Sequence, residues 1–379
     1  MDGIKKEREY QIDLIRVISM FFVVILHIIG EGGVIEASES VASVLIFNII
    51  YTIIRGCTNI FAIVTGYLMC SKKIKLSRYI YLHLQVSFIA VICSVFSSLY
   101  LNHDILMIKS YFFTWIFPVL LETYWYFTAY TILYMLIPLI NKFIDLISKK
   151  EYIILLTILY SCFFFIPTFL SRDGFDIFLC GQPLCLIIMY LTGAYIKKYN
   201  FNLSLRTLLL TFVILALGLG TCATFLDGFK IPILEKKIEF INSDFSFGIV
   251  IMSVVIFLLF RKIKIKSNAA KKVIMYFSSV AFTVYLVHTY PSIYIRLIRH
   301  NMGWIADYGF GLDILIVLGL SVAIFLVSAF VGRIQERIFK IIKIKELSAF
   351  IEKKIYKIFE VLHERGQVAD KSSQRSDNT

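Results

Sequence analysis

Long apolar runs alternate with short polar segments along almost the whole chain. Ten of these runs approach or exceed the roughly 20 residues that a helix needs to cross the hydrocarbon core of a bilayer. The runs do not alternate in polarity as the strands of a membrane barrel do, so the pattern predicts an all-α integral membrane protein, a bundle of about ten transmembrane helices. The predicted spans are 12–30, 44–70, 79–100, 123–141, 151–170, 179–196, 207–226, 245–260, 273–295 and 311–332.

The composition narrows the class further. Of the 379 residues, 59% are hydrophobic and 17% are charged, against about 45–50% and about 25% in soluble domains. These values exclude a soluble globular enzyme, a disordered chain and a disulfide-stapled secreted domain. The seven cysteines contain no C-x-x-C pair, so we predict neither a metal site nor a redox pair.

The basic residues are distributed unevenly between the two sides of the predicted bundle. If the spans alternate in direction, 30 of the 39 Lys and Arg residues fall on one side and 7 on the other, while Arg16 and Arg55 lie within spans. Because loops rich in Lys and Arg face the cytoplasm, we predict that both termini are cytoplasmic. Charges placed between apolar runs make the lipid bilayer the expected partner and argue against nucleic acid.

The chain divides into a predicted transmembrane domain at 1–333 and a basic tail at 334–379. Apolar residues recur at roughly helical spacing over 334–362, which predicts an amphipathic helix. That helix either lies on the anionic inner leaflet or is partly solvated and only fixes the topology. The polar composition of 366–379 predicts a disordered end.

Ionisable side chains in the first predicted span need a physical reason, because each costs at least about 2.5–3.5 kcal/mol on insertion scales. Asp13, Arg16 and His27 lie within an arc of about 60° on one face of a helix. His27 lies about 16 Å deeper than Arg16, which predicts a polar stripe from the cytoplasmic surface to a titratable imidazole. Alternatively, Asp13 and Arg16 form an interfacial ion pair, and His27 only bonds a neighbouring helix.

Three basic candidates follow in the second and third spans. Arg55 falls within the second span and requires an anion or a carboxylate. Lys75 and Arg78 lie at the start of the third span, where they suit either the positive-inside rule or a phosphate site.

Further candidates lie towards the opposite, predicted outer face. Glu122 precedes an aromatic group that includes Trp125 and that is also typical of an interfacial belt. His288 is a second intramembrane histidine, equally suited to a structural or a catalytic role. The sequence has no Walker loop, nucleophile elbow, H-E-x-x-H or dinucleotide-binding glycine pattern. Any chemistry must therefore come from the intramembrane polar residues.

Four motifs occur in order on separate predicted spans. They are Asp13-x-x-Arg16 followed after ten residues by His27, the stretch Phe61–Leu68, the stretch from Trp125 through Tyr134 to Pro138, and Tyr285–His288. Over about residues 8–330 the chain resembles the membrane-bound acyltransferase 3 family, whose members O-acylate bacterial cell-surface glycans. Two positions depart from the family pattern. Thr65 replaces the usual serine of the second motif, and Lys75 replaces the first arginine of the R-x-x-R that some members carry, which loses the bidentate fork.

The resemblance implies an activity and a location. Acetyl-CoA or another short acyl-CoA would be the cytoplasmic donor, and a sugar hydroxyl of a lipid-linked or exported glycan the acceptor, in the bacterial cell membrane. His27 would be a general base or a transient acyl carrier, Arg16 would position the donor, and Asp13 would orient Arg16. The remaining candidates divide by role into donor-phosphate binding (Arg55, Lys75, Arg78) and acceptor binding (Glu122, Trp125, His288).

Other functions remain open at this point. Some relatives continue into an extracytoplasmic esterase-like domain. We expect no such domain here, so the resemblance implies that the acyl group passes directly to the acceptor or to a separate extracytoplasmic partner. A polytopic transporter or flippase for a lipid-linked glycan would explain the spans and the intramembrane charges, but not the ordered motifs. A structural subunit of a polysaccharide export complex would use Arg16 and His27 only to brace helices.

Overall fold

The computed structural model describes residues 8–101, 109, 111–172, 182–228, 237 and 239–376. These described residues form helices and connecting turns, without a β-strand. The main α-helices are α1 (Tyr10–Leu26), α2 (Val34–Ala37), α3 (Val41–Arg55), α4 (Cys57–Met69), α5 (Leu76–Phe96), α6 (Phe112–Ile116), α7 (Trp125–Leu146), α8 (Lys149–Tyr160), α9 (Ile166–Leu170), α10 (Gln182–Lys198), α11 (Leu205–Gly228), α12 (Phe247–Arg261), α13 (Asn268–His288), α14 (Pro291–Leu297), α15 (Leu312–Ile341) and α16 (Ile344–Ser376).

Among the described residues, eight helical stretches are long and apolar enough to cross a membrane. They correspond to the predicted spans one to five, seven, nine and ten. The other two predicted spans are also helical, but α10 has only 17 residues and α12 only 15, which gives about 26 Å and about 22 Å of helix. The protein is therefore an all-helical membrane protein. The count of ten spans and the cytoplasmic position of both termini stay predictions.

Two predicted spans are interrupted at a glycine or next to a proline. The second consists of α3 and α4, which meet at Gly56, where a Cβ atom would lie 2.0 Å from the Ser253 Oγ. The ninth span ends at His288 rather than at residue 295, because Pro291 begins the separate helix α14. Proline lacks a backbone N–H and disfavours helical geometry in the residue before it. Tyr290 accordingly has a ψ of 127°.

Helices α4 and α10 pack backbone to backbone. A Cβ atom at Gly66 would lie 2.0 Å from the carbonyl oxygen of Tyr190, and one at Gly193 would lie 2.0 Å from that of Ile63. Small residues permit this approach between membrane helices, whose association depends on van der Waals contact and hydrogen bonds. Because α4 also contacts α1, the pair supports the first helix from one side.

The helix of the tenth predicted span continues past residue 333, and the domain boundary at that residue stays a prediction. Helix α15 continues to Ile341, and the chain turns at Lys343, with a φ of 54°, before α16 begins. Helix α16 packs against α5, so this part of the tail lies against the protein. It also continues through 366–376, where the sequence predicted disorder. That segment includes good helix formers such as Gln, Ala and Lys, and 377–379 lie outside the described residues.

Candidate functional site

A cavity of about 830 Å³ runs beside α1 and the turn that follows it. Its lining includes Arg16, His27 and Glu31, which extend over about 22 Å of the helix axis. Met20 and Val23 line the cavity between Arg16 and His27, so its middle is apolar. The cavity therefore links a basic end to a polar end along an apolar stretch of α1.

The basic end of the cavity is organised by Asp13. The Asp13 carboxylate accepts a hydrogen bond from Arg8 Nε at 2.6 Å and contacts Arg16 Nη1 at 3.5 Å. Asp13 is buried outside the cavity lining, whereas Arg16 faces the cavity. The predicted role of Asp13 as the residue that orients Arg16 fits this geometry, and Arg8 is an additional partner.

His27 lies where α1 changes to a π-helical turn, His27–Glu31. Such turns are frequent at functional sites because they rotate the side chains that follow. His27 Nδ1 lies 3.2 Å from His288 Nε2, and its ring meets that of Tyr294 edge to face at 5.1 Å between centroids. The structure thus brings together two histidines that are 261 positions apart in the chain. His288 itself is 2% exposed and does not line the cavity.

Arg55 is held by neighbours of its own. Its Nε lies 2.6 Å from Asp244 Oδ1, its Nη1 donates to the Tyr51 hydroxyl at 2.5 Å, and the guanidinium lies over the Tyr51 ring. All three residues line the cavity, as does Glu31. The carboxylate that an intramembrane arginine requires is therefore Asp244. These residues form a polar cluster, made of Glu31, Tyr51, Arg55 and Asp244, of which Arg55 lies within electrostatic range of His27.

Lys75 and Arg78 lie outside the cavity lining, on exposed positions at the start of α5. Arg78 is nevertheless close to the basic end, because the cavity-lining Tyr130 lies within electrostatic range of both Arg16 and Arg78. Lys75 is tied to α7 through its carbonyl oxygen, which accepts a hydrogen bond from Tyr134 at 2.9 Å.

The two candidates near residue 122 separate in the structure. Trp125 begins α7 and lines the cavity. Glu122 is exposed, has a φ of 48° and is not part of the lining. Trp125 can therefore contact a molecule in the cavity directly, while Glu122 lies beyond it.

Several cavity residues were missed from the sequence. Tyr51 precedes Arg55 by one helical turn, and Asp244 is the last acidic residue before the eighth predicted span, so both carried a signal. Glu31 and Tyr294 had none, because Glu31 lies in the turn after α1 and Tyr294 lies in the short helix α14, which was predicted as part of the ninth span. Burial raises the pKa of Tyr294, and the Glu31 carboxylate adds to the rise. Its hydroxyl therefore stays protonated and can donate a hydrogen bond. Within the described part of the chain, no group of three or more His, Cys, Asp and Glu residues is placed to hold a metal ion.

Comparison with known proteins identifies the family. The family model described as an acyltransferase domain, acyltransferase 3, matches residues 9–333. Among curated proteins and among solved structures, none matches the chain. The matched region includes every residue of the cavity. The chain therefore belongs to the acyltransferase 3 family, as a multi-pass membrane protein.

Proposed function

We propose that this protein transfers an acetyl or other short acyl group from cytoplasmic acyl-CoA to a sugar hydroxyl of a lipid-linked or exported cell-surface polysaccharide. Its location in this proposal is the bacterial cell membrane. The observation that carries the proposal is the position of His27. His27 lines the cavity, and it lies between the basic end at Arg16 and the polar cluster of Glu31, Tyr51, Arg55 and Asp244.

The donor binds at the basic end in this proposal. Arg16 faces the cavity and Arg78 flanks it across Tyr130, and Lys75 is nearby in sequence. Lys and Arg side chains suit the phosphates of coenzyme A. The apolar middle of the cavity then accommodates the acyl-bearing arm, which places the thioester beside His27.

The acceptor enters from the polar cluster. Carboxylates such as Glu31 accept hydrogen bonds from hydroxyl groups, and the Trp125 and Tyr294 rings give an apolar wall with polar edges. We place Arg55 on this acceptor side rather than with the donor phosphates, because Asp244 and Tyr51 already hold its guanidinium.

His27 acts as the general base in this proposal. It takes the proton of the sugar hydroxyl while the hydroxyl oxygen attacks the thioester carbonyl, and it returns the proton to the departing thiolate of coenzyme A. Direct transfer is favoured over an acyl-histidine carrier because the cavity extends to both sides of His27, so both reactants have access to it at once.

The test uses purified protein in nanodiscs with radiolabelled acetyl-CoA and a lipid-linked glycan fraction. His27→Ala should lower transfer by about 10²–10⁴-fold. The control is His83→Ala, a histidine of α5 that does not line the cavity and should transfer at the wild-type rate. Equal transfer by wild type and His27→Ala would refute the role of His27. Glycan translocation without consumption of acetyl-CoA would instead favour a flippase.

A further inference from the structure

The contact between His27 and His288 defines which nitrogen of His27 faces the reactants. His288 Nδ1 lies 2.5 Å from the carbonyl oxygen of Val284, one turn earlier on α13. A carbonyl oxygen only accepts hydrogen bonds. If Nδ1 lacked a proton, two lone pairs would face each other at this distance. His288 Nδ1 therefore carries a proton and donates it to Val284.

The state of the other His288 nitrogen follows from its burial. His288 is 2% exposed, and within the described part of the chain it forms no ion pair with a carboxylate. A buried imidazolium without such a partner is costly, so His288 is neutral and its Nε2 is an acceptor. Because that Nε2 lies 3.2 Å from His27 Nδ1, the proton between them belongs to His27.

We infer that His288 is a positioning residue that holds His27 as the Nδ1–H tautomer, with an unprotonated Nε2 presented to the cavity. The relay runs from His27 Nδ1–H to His288 Nε2, and from His288 Nδ1–H to the Val284 carbonyl. His288 touches no reactant and acts through His27, as a buried partner fixes the tautomer of a catalytic histidine in other enzymes. This inference rests on the proposed function for its kinetic consequence, but not for its structural content.

Two substitutions separate hydrogen bonding from packing. Glutamine at 288 offers a carbonyl oxygen near the former Nε2 and keeps an acceptor for His27. Leucine fills comparable space without one. His288→Leu should lower kcat by about 10²–10⁴-fold, with the KM for acyl-CoA unchanged. The lower limit is the effect of losing an orienting partner, and the upper limit is that of a catalytic histidine held in the wrong tautomer. His288→Gln should retain most of kcat. Equal kcat values for His288→Leu and wild type, or equal losses in both variants, would overturn the inference.

A second readout needs no substrate. Nitrogen NMR of ¹⁵N-histidine-labelled protein in nanodiscs distinguishes protonated from unprotonated ring nitrogens, and the His27→Ala spectrum assigns the His27 signals. Wild type should show His27 protonated at Nδ1 only, and His288→Leu should shift His27 towards Nε2–H. Protonation at Nε2 in wild type, or unchanged signals in His288→Leu, would overturn the inference. If wild type transferred no acyl group, the proposed function would fail while this measurement still decided the tautomer.

Discussion

Arg55 is a charged residue inside a stretch long enough to span a membrane, and its partners explain how it is tolerated. The side chains of Arg55 and Asp244 are 22% and 17% exposed and meet at 2.6 Å. Tyr51 adds a hydrogen bond. A pair that is mostly removed from solvent in this way is held by its mutual attraction against a desolvation cost. The charge of Arg55 is therefore a fixed part of the cavity wall.

Removing one partner of this pair should destabilise the protein. Asp244→Asn removes the carboxylate that pairs directly with the Arg55 guanidinium, which should lower the free energy of unfolding by up to about 3–5 kcal/mol. Thermal unfolding in nanodiscs measures the loss. The double variant Asp244→Asn with Arg55→Gln should recover part of it, because no unpaired charge remains.

The matched control is Asp307→Asn, the same substitution at an exposed position. It should change stability by no more than about 0.5 kcal/mol. If Asp244→Asn and Asp307→Asn gave the same small change, the ion pair would have no part in holding Arg55.

The helices show what the sequence could and could not predict. Long apolar runs are easily recognised in a sequence, and all ten predicted spans contain a helix within the described residues. Eight of them are confirmed as long enough to cross a membrane. The break at Gly56 was missed because it is associated with close packing against another helix. In the sequence Gly56 is an ordinary small residue, and only the structure shows that Ser253 of α12 packs against it. Pro291 did carry a local signal for the end of the ninth span.

Part of the geometry of the cavity could also be predicted from the sequence. Helical spacing placed Asp13, Arg16 and His27 on one face, and the structure puts Arg16 and His27 on one cavity with Asp13 behind Arg16. Contacts between helices far apart in sequence carry no periodic signal. The pairing of His27 with His288 and that of Arg55 with Asp244 therefore became visible only in three dimensions.

The pairing of α4 with α10 leads to a prediction at the scale of elements. Gly193→Ala places a Cβ atom 2.0 Å from the Ile63 carbonyl oxygen, which forces the helices apart and should cost about 1–3 kcal/mol. The control is Gly218→Ala on α11, where a Cβ atom meets nothing within 4 Å. Alanine there should stabilise the helix by about 0.5–1 kcal/mol. Thermal unfolding of both variants tests this difference in sign, and equal shifts would contradict the close packing.

Most of the basic residues are predicted to lie at the same end of the molecule as the tail. The predicted cytoplasmic side has 30 of the 39 Lys and Arg residues, and the Arg16 end of the cavity lies towards it. On α16, Glu352 accepts hydrogen bonds from the Ser77 side chain and from the backbone N–H groups of Leu76 and Ser77. The tail therefore packs beside Lys75 and Arg78, at the end where we propose that the donor enters.

In the proposed reaction, acyl-CoA enters at the basic end of the cavity, and the acyl group leaves at the other end. The direct measurement uses proteoliposomes with the basic face outward, labelled acetyl-CoA outside, and a glycan fraction from the source cells enclosed in the lumen. Acetyl-CoA does not cross the bilayer unaided. We predict label on the enclosed glycan with wild type, and about 10²–10⁴-fold less with His27→Ala. Label that reaches glycan only when donor and acceptor share one side would contradict transfer through this cavity.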